Sequence, residues 1–292
     1  MINTFPLRDE ENSLEKSTVD LSYLGERVFS QPNPETGKRL ESWNETSAEN
    51  PEEFGEYAEG DIVFPRRGRN GLVAEGLHWK NGVIPYEISG HFRPKLPTDE
   101  DYISIVNGRT GCWSSVGRIK GKQEINLQSP SCTTKVGTAL HELMHAAGFL
   151  HEQNRYERDD YVTIAWQNIK RGHENNFDKA DKDMAQGFGV SYDFRSVMHY
   201  SSTAFSTNNQ PTIIPKDPKK VQKMGQRDGF SRGDITKINN MYNCPEMTLT
   251  VIGNGTTTAN ITTSGSGSEN NEKETSNPLV DAAVGLLSIF IH

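Results

Sequence analysis

Between positions 141 and 152 the chain reads HELMHAAGFLHE, three histidines and two glutamates in twelve residues. On a helix, residues four apart share a face with their Cβ atoms roughly 5–6 Å apart. His141 and His145 can therefore turn ring nitrogens toward one metal ion. Glu142 lies one step round the helix, where it can meet a water beside that ion without becoming a ligand itself. Gly148 takes a positive φ without penalty, so the backbone can leave the helix sharply and bring His151 back as a third ligand. Three protein nitrogens and one open position make the ligand set of a catalytic zinc site, so one catalytic Zn2+ is the expected cofactor. Chance would place the five fixed positions of H-E-x-x-H-x-x-G-x-x-H in about one in ten thousand chains of this length. Ordinary core or surface histidines are the weaker alternative. Farther along, SVMHY (196–200) follows the histidine motif as a methionine turn would, with Met198 beneath the metal.

These residues need elements to hold them. VGTALHELMHAAG (136–148) reads as a helix, with Ala139, Leu143 and Ala147 apolar and Gly148 as its stop. GVIPYEIS (82–89), DYISIV (101–106), KQEINLQ (122–128) and YVTIAW (161–166) read as strands. SRGDITKINNMY (231–242) reads as a closing helix, with Ser231 and Asp234 in capping-box spacing and Ile235, Ile238 and Tyr242 on one face. The order, strands first and then mostly loop, predicts an α+β fold.

The 292 residues carry a formal charge of −8 and are 33% hydrophobic. The mean hydropathy of −0.70 is polar for a folded chain, so part of the length is expected to lie outside a core. No basic stripe is present to meet phosphates, which argues against a nucleic-acid partner. Residues 1–60 are rich in Glu, Ser, Asn and Pro and read as extended or partly disordered. GDIVFPRRGRNGL then marks a boundary, and Arg66, Arg67 and Arg69 offer sites to a trypsin-like activating protease. Beyond Cys244 the chain is a polar, low-complexity stalk ending in LVDAAVGLLSIFIH, which is too short to span a bilayer. Small residues, a polar spacer and this tail fit a GPI-attachment layout, the one route by which a membrane is expected as a partner. Sequons at Asn44, Asn254 and Asn260 suggest an extracellular glycoprotein.

HELMHAAGFLHEQNRYERDDYV together with SVMHY resembles the astacin family of zinc endopeptidases, within the metzincin clan, and GVIPY, GCWSSVGR and INNMY extend the likeness over about residues 61–244. The resemblance implies His141, His145 and His151 as zinc ligands and Glu142 as general base and acid. It implies Tyr200 as an extra ligand that swings away to stabilise the oxyanion, Met198 as the floor of the site, and Glu152 as a contact for the mature N-terminus. It further implies an upper sheet-and-helix half and a lower irregular half, with a C-terminal helix and a cleft between them. An extended protein or peptide substrate would pair there as an added strand, with KQEINLQ as the edge that receives it. In the family's proenzymes an F-x-G-D-like motif places an Asp on the zinc; here YAEGD makes Asp61 the candidate, with Tyr57 at the Phe position. The implied organisation is a propeptide over 1–69, a catalytic domain over 70–245 and a stalk with apolar tail over 246–292. The implied product is a secreted zymogen.

Two departures accompany the likeness. Cys112 and Cys132 match the family's local disulfide, but the partner expected for Cys244 belongs to a helix and strand for which HFRPKLPTDE leaves no room, so Cys244 should be unpaired. MINTFPLRDEEN also lacks the apolar run of a signal peptide. A shortened chain is expected from both, poorly soluble or inactive as written. The competing reading is a catalytically dead extracellular binding protein that keeps the fold.

Overall fold

In the computed structural model the described residues are 30–64, 78–88, 98–180, 182 and 187–244, together with the backbone of four strand segments. Two of those segments, β1 (Thr18–Val19) and β2 (Leu72–Val73), pair antiparallel. The prolines and acids that suggest an extended N-terminal region instead cap short helices. Asn33 accepts the Glu35 N–H at 2.9 Å and Pro34 opens α1 (Pro34–Leu40), in keeping with the preference for Pro at the first helical position. A 3₁₀ turn follows at Pro51–Phe54, where the Asn50 N–H donates to the Glu53 carboxylate at 3.0 Å.

The central sheet has the order β3-β4-β6-β5, formed by β3 (Tyr86–Ile88), β4 (Tyr102–Val106), β5 (Cys112–Trp113) and β6 (Lys122–Leu127). The first three of that order run parallel, and β5 runs antiparallel to β6. KQEINLQ is therefore an interior strand, paired with β4 along its length and with β5 at Asn126 and Leu127, and not the edge that the family resemblance implied. β5 carries the edge instead, and residues 61–63 lie along its continuation. Ser114 donates its N–H to Asp61 O and accepts from Val63 N, both at 2.9 Å.

Ile103, Ile105, Ile125 and Leu127 of the sheet pack on Ala139, Leu140, Leu143 and Ala146. These last belong to α3 (Val136–Ala147), which follows α2 (Ser131–Thr134). A Cys112–Cys132 disulfide ties β5 to α2, and Cys244 is free. Leu40 of α1 is fully buried in the same cluster. The Gln128 side chain donates to Gly37 O at 3.0 Å and Ser131 Oγ donates to Leu40 O at 3.2 Å. Leu40→Ala should therefore behave as a core truncation and lose about 2–5 kcal/mol of stability, read as a lower urea midpoint at constant slope.

The second half is mostly loop, with β7 (Val162–Ile164) and β8 (Ile213–Pro215) paired around an aromatic cluster that includes Phe177, Tyr192, Tyr200 and Phe205. The closing helix α4 (Arg232–Met241) is capped by Ser231, which accepts the Asp234 N–H at 2.9 Å. Ile238 is buried, but Ile235 is 45% exposed and does not share its face. A final pair, β9 (Glu246–Ile252) and β10 (Thr256–Thr262), is antiparallel and falls in the stretch expected to be a flexible stalk. Among the described residues no helix is long and apolar enough to cross a membrane. The apolar tail, Arg66, Arg67, Arg69 and Asn254 lie outside the described residues. Asn44 is exposed, and Asn260 is placed only by its backbone in β10.

Candidate metal centre

The α3 helix is buried at every position from Gly137 to Ala147, so its histidines point into protein whichever way they face. Its first turn is set against the later chain. Gly137 N–H donates to Arg227 O at 3.0 Å, and a Cβ at Gly137 would lie 2.2 Å from that oxygen, so no larger residue fits. At the other end Gly148 adopts φ +118°, in the left-handed region that ends helices. The sharp exit places Phe149 O 2.8 Å from His145 Nδ1 and returns His151 to the same spot.

Each imidazole is fixed through Nδ1. His145 Nδ1–H donates to Phe149 O, and His141 Nδ1–H donates to Val197 O at 2.8 Å. Val197 itself is held by α4, because the Asp234 carboxylate accepts from Val197 N (2.8 Å) and Ser196 Oγ (2.6 Å). That carboxylate thus sets the SVMHY turn, and Met198 is buried in it against Met144, Ala147 and Phe149. His151 Nδ1–H donates to the Glu59 carboxylate at 2.6 Å.

With every Nδ1 protonated, the three Nε2 atoms present lone pairs, and they converge. His151 Nε2 lies 3.2 Å from His141 Nε2, so either a proton on His151 or a metal cation must separate the two nitrogens. Asp61 joins them, with Oδ2 at 2.9 Å from His141 Nε2 and 3.4 Å from His151 Nε2, and Oδ1 at 3.4 Å from His145 Nε2. One ligand atom from each of the four residues lies within 4.8 Å of the others, and all four residues are buried. His145 Nε2 and Asp61 Oδ1 have no hydrogen-bond partner. Buried donorless acceptors of this kind cost free energy unless a cation satisfies them. The donor set, three nitrogens and a carboxylate oxygen, suits zinc.

The electrostatics agree. Burial lowers the His141 ring to about 4, aided by the charge of Arg227, which keeps it neutral and available as a ligand. Burial opposes charge at Asp61 too, but His151 and His145 outweigh it and hold the carboxyl well below its ordinary range. At His151 burial is outweighed by the Asp61 and Glu59 carboxylates, which raise it to about 9, so the pocket favours a positive charge there. Burial, followed by Asp61 and Glu52, pushes Glu142 well above the carboxylate range, and both its oxygens lack hydrogen-bond partners.

Tyr200 is buried with its ring 4.5 Å from that of His151, and its hydroxyl donates to Glu59 O at 2.6 Å. Glu152 is buried among partners other than the ligand histidines. Its carboxylate accepts from Asp193 N at 2.8 Å and pairs with Arg155 at 2.9 Å and with Lys237. Burial opposes ionisation, but Lys237 and then Arg155 lower its pKa. Counted back from Asp61, the Phe position of the proenzyme motif falls on buried Ala58, not on Tyr57 one residue upstream, which donates its hydroxyl to Thr110 O at 2.7 Å and packs edge-on against Trp113.

Sequence reasoning missed Glu52, Glu53, Glu59 and Arg227. Glu52 pairs with Arg227, both fully buried, and Glu53 accepts from Ser201 N and Ser201 Oγ at 2.6 and 2.7 Å. The Asn-Pro-Glu-Glu start of a capped turn was the available signal. Burial, then the like charge of Glu52, raise Glu53 to about 7 from 4.5, against the pull of Arg227 and Ser201. Between those pH values the folded chain keeps a proton that the unfolded chain releases. The stability so gained is full below pH 4.5 and fades as pH rises through about 7, a loss of about 3 kcal/mol across the window. Urea midpoints measured against pH should fall over that range, and Glu53→Gln should flatten the slope.

A protein-family model described as Astacin, a peptidase family, matches residues 91–243. The chain is 44% identical over 207 residues to zinc metalloproteinase nas-13 of Caenorhabditis elegans, covering 63% of this chain and 45% of that protein. It is 39% identical over 209 residues to meprin A subunit beta of Rattus norvegicus, covering 64% of this chain and 29% of that protein. The chain thus spans less than half the length of these curated relatives. Among solved structures, high choriolytic enzyme 1, a hatching enzyme zinc-protease of Oryzias latipes, matches with a TM-score of 0.51 at 37% identity, covering 57% of this chain and 93% of that one. The α+β class expected from the order of elements agrees with that neighbour.

Proposed function

The chain belongs to the astacin family of peptidases, and from that premise we propose that it hydrolyses internal peptide bonds of proteins and is made as a zymogen. The observation that carries the reading is the buried group Asp61, His141, His145 and His151, with Glu142 beside it on α3. His141, His145 and His151 would hold zinc, and Asp61 would cap the fourth position while residues 1–69 remain attached. Zinc, when bound, supplies Lewis acidity to the scissile carbonyl and lowers the pKa of water. Glu142 accepts the proton of the attacking water at its carboxylate and delivers it to the leaving nitrogen. Tyr200, released from Glu59 O, donates its hydroxyl to the developing oxyanion. The edge continuing from β5, along which residues 61–63 now lie, would hold an extended substrate by main-chain pairing.

We assign residues 1–69 as the propeptide, 70–245 as the catalytic unit and 246–292 as stalk and tail. Cleavage by a trypsin-like protease at Arg66, Arg67 or Arg69 would uncover the cluster. The Cys112–Cys132 disulfide supports an extracellular location, since such bonds persist in oxidising compartments. Glycans at Asn44, Asn254 and Asn260 and a lipid anchor at the tail belong to the same reading.

The test is digestion of a denatured protein by the trypsin-treated chain, with and without a chelator. Cleavage that stops with the chelator and returns with zinc supports the proposal. A chain that binds zinc yet never cleaves belongs to the competing class, a non-catalytic binding protein.

A further inference from the structure

We propose that Glu59 is a positioning residue for the metal, fixing the His151 ring so that the uncut chain retains zinc; this rests on the zinc reading above. The three imidazoles are not oriented alike. His141 and His145 each donate Nδ1–H to a neutral backbone carbonyl, that of Val197 and that of Phe149, both supplied by the body of the fold. His151 donates instead to a carboxylate, at 2.6 Å, from the segment that covers the site. An anionic acceptor behind a ligating imidazole fixes its tautomer and makes its other nitrogen a stronger donor, and losing such a partner commonly costs 10–100-fold in metal affinity.

Glu59 is built for that contact. It is buried, and the other carboxylate oxygen has no hydrogen-bond partner, so the group is directed at His151 alone. Its backbone adopts φ +47°, a left-handed conformation unusual for a residue with a side chain. This turn aims the side chain at His151 while the carbonyl of the same residue receives the Tyr200 hydroxyl at 2.6 Å. Charge points the same way. Asp61 and Glu59 bring two negative charges to a buried site whose rings are neutral when they ligate, enough to balance one dication where solvent cannot. Asp61 meets the cluster directly and Glu59 acts through the ring.

The experiment uses the full, uncut chain loaded with zinc. Release to a chelating dye is timed for the wild type, Glu59→Gln and Glu59→Gly, and melting of the metal-free proteins is recorded alongside. Glycine adopts a positive φ readily and glutamine keeps the side-chain shape, so both variants preserve the turn and the carbonyl that holds Tyr200. The expected result is zinc loss 10–100-fold faster from both variants, larger for Gly, with metal-free melting lowered only by the loss of the His151 contact and least for Gln. Wild-type release rates from both variants would overturn the inference and leave the zinc reading standing. A wild-type chain that binds no zinc would overturn both.

Discussion

Glu142→Gln is expected to lower peptide hydrolysis by the activated chain about 10²–10⁴-fold, the range supplied by a positioned proton acceptor. The amide keeps the size and shape of the carboxylate but cannot take a proton from water. The variant also separates chemistry from folding. Both Glu142 oxygens are buried without hydrogen-bond partners, so no donor is stranded when the charge is removed. Burial and the charges of Asp61 and Glu52 already disfavour the ionised group, so a neutral side chain relieves that conflict in the uncut protein. Melting of the uncut variant should accordingly be no lower than wild type, and its zinc content should be unchanged. Cleavage at the wild-type rate would remove Glu142 from the reaction. Loss of zinc together with activity would instead implicate metal retention.

Much of this site was legible because its geometry is local. His141, Glu142 and His145 sit on one helix of period 3.6, and Gly148 and His151 follow within two turns, so spacing alone brings them together. The strands around α3 were legible in position but not in pairing. KQEINLQ alternates as a strand would, and the family likeness made it the edge, yet it lies between β4 and β5, a placement decided by long-range partners. Ile235 shows the same limit within a helix. Its spacing places it with Ile238, but among the described residues nothing covers it and it stays exposed. The segment from residue 30 to 64 was the least legible. Its acids and prolines have the composition of a solvated tail and only Asp61 was marked, through its motif, whereas Glu52, Glu53, Glu59 and Asp61 are all buried. Each gains its partner from residues roughly 80 to 175 positions away, a distance over which composition carries no signal.

Glu52→Ala should be the most damaging change in that segment, costing about 3–5 kcal/mol, because it leaves a buried cation without its counter-ion. The Arg227 side chain is fully enclosed. Its Nε donates to Glu52, and its Nη1 donates to Gln226 O at 2.8 Å and His199 O at 3.3 Å. Backbone carbonyls can share the remaining donors but cannot neutralise the charge. The double variant Glu52→Ala with Arg227→Met should regain most of the loss, since replacing a whole buried pair by apolar atoms is often neutral. Urea unfolding of the uncut chain, at a pH low enough to keep Glu53 protonated, separates this effect from the Glu53 titration. A small loss for the single variant would mean that water reaches Arg227 once the carboxylate is gone. The full loss with recovery in the double variant would mean that the pair latches the N-terminal segment to the chain beyond the methionine turn. Cutting after Arg66–Arg69 would then not suffice to release Asp61 from the histidines; the Glu52–Arg227 pair would have to separate as well.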